Sequence, residues 1–261
     1  MDQCRLCSGK VDQIFTASIL RCHKVPFVCC SRCSLLQAAN PFWLEEAYKD
    51  SINISDTGIL ARNLSARDKT SIILWLMYGL RKLRESRFLD FGGGYGIFVR
   101  LMRDLGLDFY WFDSYSENLV ARGFEDKWSK YDAIVAFEVL EHLLNPFEIL
   151  ENIFSRTRTL IFSTELYPYR PPKPEAWTYY GFSHGQHINF FNLNTLKFIA
   201  YQFNLNLSTD GKNFHVLSMD HIPSGLMKKV RVIRRVGGLS LLQILLNSKI
   251  MHDHDLIIFH R

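Results

Sequence analysis

Three groups of residues in this chain have the types and spacing to do chemistry. The first is Cys4-Arg5-Leu6-Cys7 with Cys30-Ser31-Arg32-Cys33, two Cys-x-x-Cys pairs within a chain whose six cysteines all precede position 34. Two such pairs present four thiolates tetrahedrally to one zinc ion, and four protein ligands leave no open position, so a structural role is expected. Cys29 adjoins the second pair, but only Cys30 has the two-residue spacing to Cys33. The second group is Asp90-Phe91-Gly92-Gly93-Gly94-Tyr95-Gly96. Glycines at 92, 94 and 96 let a ligand approach the backbone and permit a tight strand-to-helix turn. Ile97 and Val99 stand where a dinucleotide fingerprint would want a further glycine, which favours a nucleoside ligand without a pyrophosphate. Asp113 follows at the spacing where an acid can accept hydrogen bonds from both ribose hydroxyls. The third group is His184-Gly185-Gln186-His187, where a ring titrating near neutrality is a natural base for one proton.

These groups need elements to hold them. Arg87 to Asp90, Asp108–Phe112, Ala133–Phe137 and Thr159–Thr164 read as buried strands separated by helical stretches, which predicts an α/β fold with a mostly parallel sheet covered on both faces. Ligands of such sheets sit at the carboxyl ends of the strands, so Glu138, one residue past the third of these strands, faces the same crevice as Gly92 and Asp113. A helix over Asp68–Leu83 precedes the first strand, with Ile72, Ile73, Trp75 and Leu76 on its apolar face. Leu205–Ser208 and Phe214–Met219, around Asp210-Gly211, read as two closing strands. Tyr167 to Gly181 is a proline-rich aromatic loop whose rings suit stacking on a sugar or a base. Asn192 or Asn194 caps the helix Thr195–Phe203.

Composition bounds the rest. A chain of 261 residues, 48% hydrophobic, can bury a full core. Cysteines confined to one short segment argue for metal over disulfides and for a reducing, cytoplasmic setting. No apolar run reaches the ~18 residues of a membrane span. The net charge of +5 is localised: Lys228, Lys229, Arg231, Arg234, Arg235 and Lys249 fall in a stretch without acids. The remainder is near neutral, so nucleic acid is not an expected partner. Pro223 to Asn247 reads as a basic amphipathic helix, broken at Gly237-Gly238, whose default is a solvated face or oligomer contact; peripheral contact with anionic lipid is the other option.

The run Leu89-Asp90-Phe91-Gly92-Gly93-Gly94-Tyr95-Gly96, then Asp113, then Phe137-Glu138-Val139-Leu140-Glu141-His142-Leu143 with Asn145-Pro146, resembles the class I S-adenosylmethionine-dependent methyltransferases over roughly residues 68–220. The zinc knuckle and the His-Ile-Asn-Phe-Phe segment are similar to sugar methyltransferases of surface-polysaccharide and deoxysugar pathways. The resemblance implies a Rossmann-like sheet of seven strands with the last antiparallel, beside a small zinc-ribbon-like domain. It implies four units: a zinc-binding knuckle over 1–40, a helical linker and cover over 41–86, the cofactor domain over 87–222 and a basic helical extension over 223–261. It places S-adenosylmethionine against Asp90, Gly92, Gly94, Tyr95, Gly96, Asp113, Phe124, Phe137, Glu138 and His142, with adenine near Phe124 and the methionine end near Gly92 and Glu138. A small, sugar or nucleotide-sugar-derived acceptor is expected at His187, His184 and Tyr180, with His187 as base. Gln186 and His184 stand where the C-methylating members have an acid and a tyrosine, so the methylated atom, whether oxygen, nitrogen or carbon, stays open. The alternatives are a zinc-knuckle RNA methyltransferase and a non-catalytic zinc-ribbon interaction protein on this fold.

Overall fold

The computed structural model describes residues 3–49 and 57–259. Strands β1 (Val11–Ile19) and β2 (His23–Cys30) form a long antiparallel hairpin between the two Cys-x-x-Cys turns, and β3 (Leu36–Ala38) adds antiparallel to β2. Side chains alternate between faces along a strand, so Ala17 and Ile19 from β1 join Val25 and Phe27 from β2 on one buried face. A short helix α1 (Leu44–Ala47) leads towards α2 (Ile59–Glu85), which is interrupted at Gly79, where φ is +70° and a side chain would be strained.

From here strand and helix alternate: β4 (Arg87–Phe91), α3 (Ile97–Asp104), β5 (Asp108–Phe112), β6 (Ala133–Phe137), α4 (Pro146–Arg156) and β7 (Thr159–Ser163). A two-residue strand β8 (Asn189–Phe190), helix α5 (Leu193–Gln202) and strands β9 (Asn206–Thr209) and β10 (Phe214–Ser218) follow. The main sheet runs β5-β4-β6-β7-β10-β9. Its first four strands are parallel, and β10 lies antiparallel to both neighbours. The apolar run of β6 is central because both its faces are covered, by Leu140, Phe162 and Leu196 on one side and Ile72, Phe98 and Val99 on the other.

Seven strands were expected; among the described residues the sheet has six. At the β5 edge of the sheet a single parallel bridge joins Trp111 to Glu125. The chain there is occupied by local polar bonds, with Asn118 accepting from the Ala121 amide and Glu125 from Gly123, which leaves no apolar alternation to extend a ladder.

The small sheet is not closed on itself. Its order is β1-β2-β3-β8, so its fourth strand comes from the acceptor-side segment, with Leu36 opposite Phe190 and Gln37 opposite Asn189. Sequence patterning gave no sign of this, because a two-residue strand has no period.

The basic C-terminal stretch folds as three helices, α6 (Leu226–Arg235), α7 (Gly238–Leu245) and α8 (Ile250–Phe259). Part of its charge is paired, Lys249 with Asp108 and Arg234 with Asp68. Helix α8 is anchored by Asp253, whose two carboxylate oxygens accept from Nε and Nη2 of the buried Arg103 at 2.7 Å each. Burial alone would raise the Asp253 pKa, but the bonds and charge of Arg103 and Arg100 outweigh it and hold it low. Asp253→Ala leaves the buried Nε and Nη2 of Arg103 without their acceptors, with Asp108 as its remaining carboxylate partner, so the change is expected to cost about 3 kcal/mol, read as a lower urea midpoint. Among the described residues no helix is long and apolar enough to cross a membrane.

Candidate active site

A cavity of about 1310 Å³ opens at the carboxyl ends of β4, β5 and β6. Asp90, Gly92, Gly94, Tyr95, Asp113, Phe137, Glu138, His142, His184 and His187 all line it. Three residues named with them stand elsewhere. Phe124 is buried beneath the Arg103 guanidinium, 3.6 Å from its ring centre, and serves the core. Gly96 begins α3 at φ +83°, and a side chain there would strike Asn118 at 2.7 Å, so it answers to loop packing. Tyr180 is buried under the small sheet and donates its hydroxyl to the Pro172 carbonyl.

On one side of the cavity the glycine turn is fastened to Asp113. Asp113 Oδ2 accepts from the Gly94 amide at 2.9 Å, while Oδ1 accepts from the amides of Tyr115 and Ser116. The Trp111 indole donates to the Gly94 carbonyl at 2.8 Å, and a side chain on Gly93 would meet that indole at 2.6 Å. Asp90 is buried with Oδ2 lacking any partner among the described residues. Burial, and then the charge of Asp113, push its pKa up to about 8.

The other side is a polar cluster on the loops after β6 and β7. Glu138 leaves β6 at φ +53°, a left-handed conformation costly for a residue with a side chain and frequent at functional sites. Its amide donates to Ser163 Oγ at 3.0 Å, and that hydroxyl donates back to Glu138 Oε1 at 2.6 Å. The Tyr179 hydroxyl lies between Glu138 Oε2, at 3.0 Å, and Oε1 of the fully buried Glu141. Burial first, and the Glu138 charge next, raise the Glu141 pKa well above its ordinary value.

Carbonyl oxygens only accept, and this settles the tautomers of two histidines. His187 Nδ1 lies 2.7 Å from the Tyr179 carbonyl and His142 Nδ1 lies 3.0 Å from the Gln186 carbonyl, so each Nδ1 carries hydrogen and each Nε2 is a bare lone pair. His184 is the reverse: its Nδ1 accepts from the Gln186 amide, which leaves the hydrogen on Nε2. The rings of His142 and His184 each lie 4.9 Å from that of His187. Burial pushes His187 down to about 4, and burial with the His187 charge pushes His184 to about 4, so both rings are neutral at neutral pH.

Sequence reasoning passed over Ser163 as a site residue; it placed Tyr179 near the acceptor without giving it a role, and weighed Tyr48, whose hydroxyl lies 3.0 Å from His142 Nδ1, as a cover over the ligand against an ordinary linker. The one available signal was the tyrosine pair at 179 and 180. Thr178–Tyr180 is a single 3-10 turn, in which successive side chains diverge by about 120°, so one ring faces the cavity and the next the core.

At the other end of the small sheet the four thiols of Cys4, Cys7, Cys30 and Cys33 lie within 4.8 Å of one another, with Sγ–Sγ distances of 3.5 Å for Cys4–Cys33 and 3.4 Å for Cys7–Cys30. Ligands 2.3 Å from one zinc stand about 3.8 Å apart, so the set fits a tetrahedral ion. Amides of Leu6, Arg32 and Cys33 point at these sulfurs, as thiolates require.

Fold and cavity define a Rossmann-like α/β domain of the class I type, with a nucleoside-sized cleft at the glycine turn. Residues 60–209 match the model of a family described as a methyltransferase domain, and the chain belongs to that methyltransferase family. No curated protein matches. Similar solved structures include OxaC in complex with sinefungin and meleagrin, at 14% identity and a TM-score of 0.41 over 52% of this chain and 43% of that one. The mitomycin 7-O-methyltransferase MmcR shows 14% identity and a TM-score of 0.42, covering 67% of this chain and 60% of its own. Magnesium protoporphyrin IX methyltransferase (ChlM) from Synechocystis PCC 6803 with bound SAH shows 13% identity and a TM-score of 0.38, with 67% and 90% covered. The chain spans less than half the length of the first of these.

Proposed function

We propose that this protein transfers the methyl group of S-adenosylmethionine to a small, sugar or nucleotide-sugar-derived acceptor, with His187 as the base. The observation that carries this reading is one cavity with two chemically different walls, the glycine turn with Asp90 and Asp113 facing a cluster of histidines, Tyr179 and Glu138. At about 1310 Å³ it exceeds the ~300–1,000 Å³ of a single-ligand pocket and has room for donor and acceptor together. The donor side fits its ligand: Asp113 receives the ribose, and the unpartnered Asp90 Oδ2 welcomes the cationic methionine end. Methyl transfer is an in-line displacement on a sulfonium, so the protein's work is to align the acceptor and remove one proton. His187 Nε2, a bare lone pair on a ring fixed through Nδ1, is the atom proposed for that proton.

In this reading the four cysteines hold a structural zinc, the 1–40 unit is completed by β8, and the 41–86 and 223–261 segments cover the 87–222 cofactor domain. Screening purified protein with labelled S-adenosylmethionine against nucleotide-sugar pools, with mass spectrometry of products, tests the proposal; label appearing in no product would sink it. Asp113→Ala removes a charged acceptor worth about 1.5–3 kcal/mol per bond. It is expected to raise the Kd for S-adenosylhomocysteine by roughly 10-fold or more in calorimetry.

A further inference from the structure

A donor atom from each of Glu141, His142 and His187 lies within 4.8 Å of the other two. Bonds already described prepare all three. The Gln186 and Tyr179 carbonyls hold the Nδ1 hydrogens of His142 and His187, so both rings offer Nε2; a second ring nitrogen tied to a carbonyl is the usual support of a metal-ligating histidine. Glu141 is 0% exposed, and while Tyr179 donates to its Oε1, its Oε2 has no partner among the described residues. A carboxylate oxygen enclosed without a donor is costly, and a cation beside it offsets that cost. His142 and His187 both line the cavity, so the point is open to an ion and to a ligand.

We propose that Glu141, His142 and His187 bind a divalent first-row cation, of the zinc type, in the acceptor wall. Two neutral imidazoles and one carboxylate suit such ions, and three protein ligands leave a position open. A tetrahedron with bonds near 2.0 Å has edges of ~3.3 Å, so donors within 4.8 Å of one another would have to close by no more than about 1.5 Å to hold such an ion. The site rests on, and deepens, the reading of this cavity as the place of methyl transfer. When bound, the ion would polarise an acceptor hydroxyl and lower its pKa enough for its proton to pass to solvent water, so that in the loaded protein His187 Nε2 would be a ligand and not the base.

The test counts metal in the full-length protein, loaded with zinc and freed of loose ions on a chelating resin. Wild type is expected to carry one more zinc than Glu141→Gln, which keeps an acceptor for the Tyr179 hydroxyl, and one more than His142→Gln. Loading with Co2+ alone separates this site from the cysteines. The intense sulfur-to-cobalt bands persist in both variants, while the weaker visible bands of a nitrogen-oxygen site are lost. Equal metal in wild type and both variants overturns the proposal, including the case where an extra ion sits at the more exposed Cys22, His23 and Glu46 and survives both changes. Titrating S-adenosylhomocysteine into the same samples separates the two ideas. Extra metal without cofactor binding sinks the methyl-transfer reading and keeps the ion site, and cofactor binding with no extra metal does the reverse.

Discussion

His187→Ala is expected to lower kcat by about 10²–10⁴, the range typical of losing a general base, while S-adenosylhomocysteine binds as before. The two readouts separate because the ring hangs from the segment before β8, whereas the glycine turn and Asp113 stand at the ends of β4 and β5. His187 is buried and fixed through Nδ1 to the Tyr179 carbonyl, so its removal takes away an aligned lone pair and not only bulk. His187→Gln sharpens the test. An amide can donate to the same carbonyl and fill much of the space, yet it cannot accept a proton near neutral pH. If the ring only packs, the glutamine variant recovers most of the rate; if its Nε2 takes part in the reaction, it is as slow as the alanine variant. A kcat within threefold of wild type in His187→Ala would remove this histidine from the mechanism.

What could be read from the chain beforehand follows from how local each signal is. The glycine turn was legible because spacing alone fixes it: strand, tight turn and helix are consecutive, and the backbone there adopts φ of +78° at Gly92 and +83° at Gly96. The cysteine pairs are local in the same sense, since each turn presents its own two sulfurs. The core was legible where a strand is buried on both faces, as in Ala133–Phe137. Partners set by distant packing were not. Phe124 has the composition of an adenine wall, but it lies under Arg103, which Asp253 reaches from a helix about 150 residues away in sequence. Tyr180 and Tyr179 are chemically identical, and only the phase of one 3-10 turn decides which meets Glu138. Among the described residues the sheet stops at β5, where local polar turns compete with a ladder that would begin from one bridge, a competition that pattern reading does not weigh.

Cys33→Ser is expected to lower activity far more than it lowers affinity for the cofactor. The small sheet is bracketed by the two cysteine pairs, and structural zinc contributes folding free energy of about 10 kcal/mol or more in isolated zinc modules, so replacing one ligand loosens this unit first. Its third strand is what holds the segment that follows His187. Gln37 and Leu36 pair with Asn189 and Phe190, two and three residues after His187. Arg5, inside the first cysteine turn, donates to Asn189 Oδ1 at 3.1 Å and to the Ile188 carbonyl at 3.3 Å. Asn189 in turn donates to the Leu143 carbonyl at 2.6 Å, next to His142. A catalytic group misplaced by ~1 Å can cost about 10² in rate, so kcat is expected to fall by roughly that factor. Asp113, Gly94 and Asp90 belong to the other sheet; the cysteine unit packs on one face of that sheet through Leu6, Cys30 and Leu35, but the bonds that shape the glycine turn run between β4, β5 and the loops after them, so the Kd for S-adenosylhomocysteine should stay within about threefold. Limited proteolysis would show new cleavage in the hairpin Val11–Cys30 while the cofactor domain persists as a resistant fragment. A variant that has lost its thiolate-bound zinc and still turns over at the wild-type rate would refute the idea that this sheet sets the position of His187.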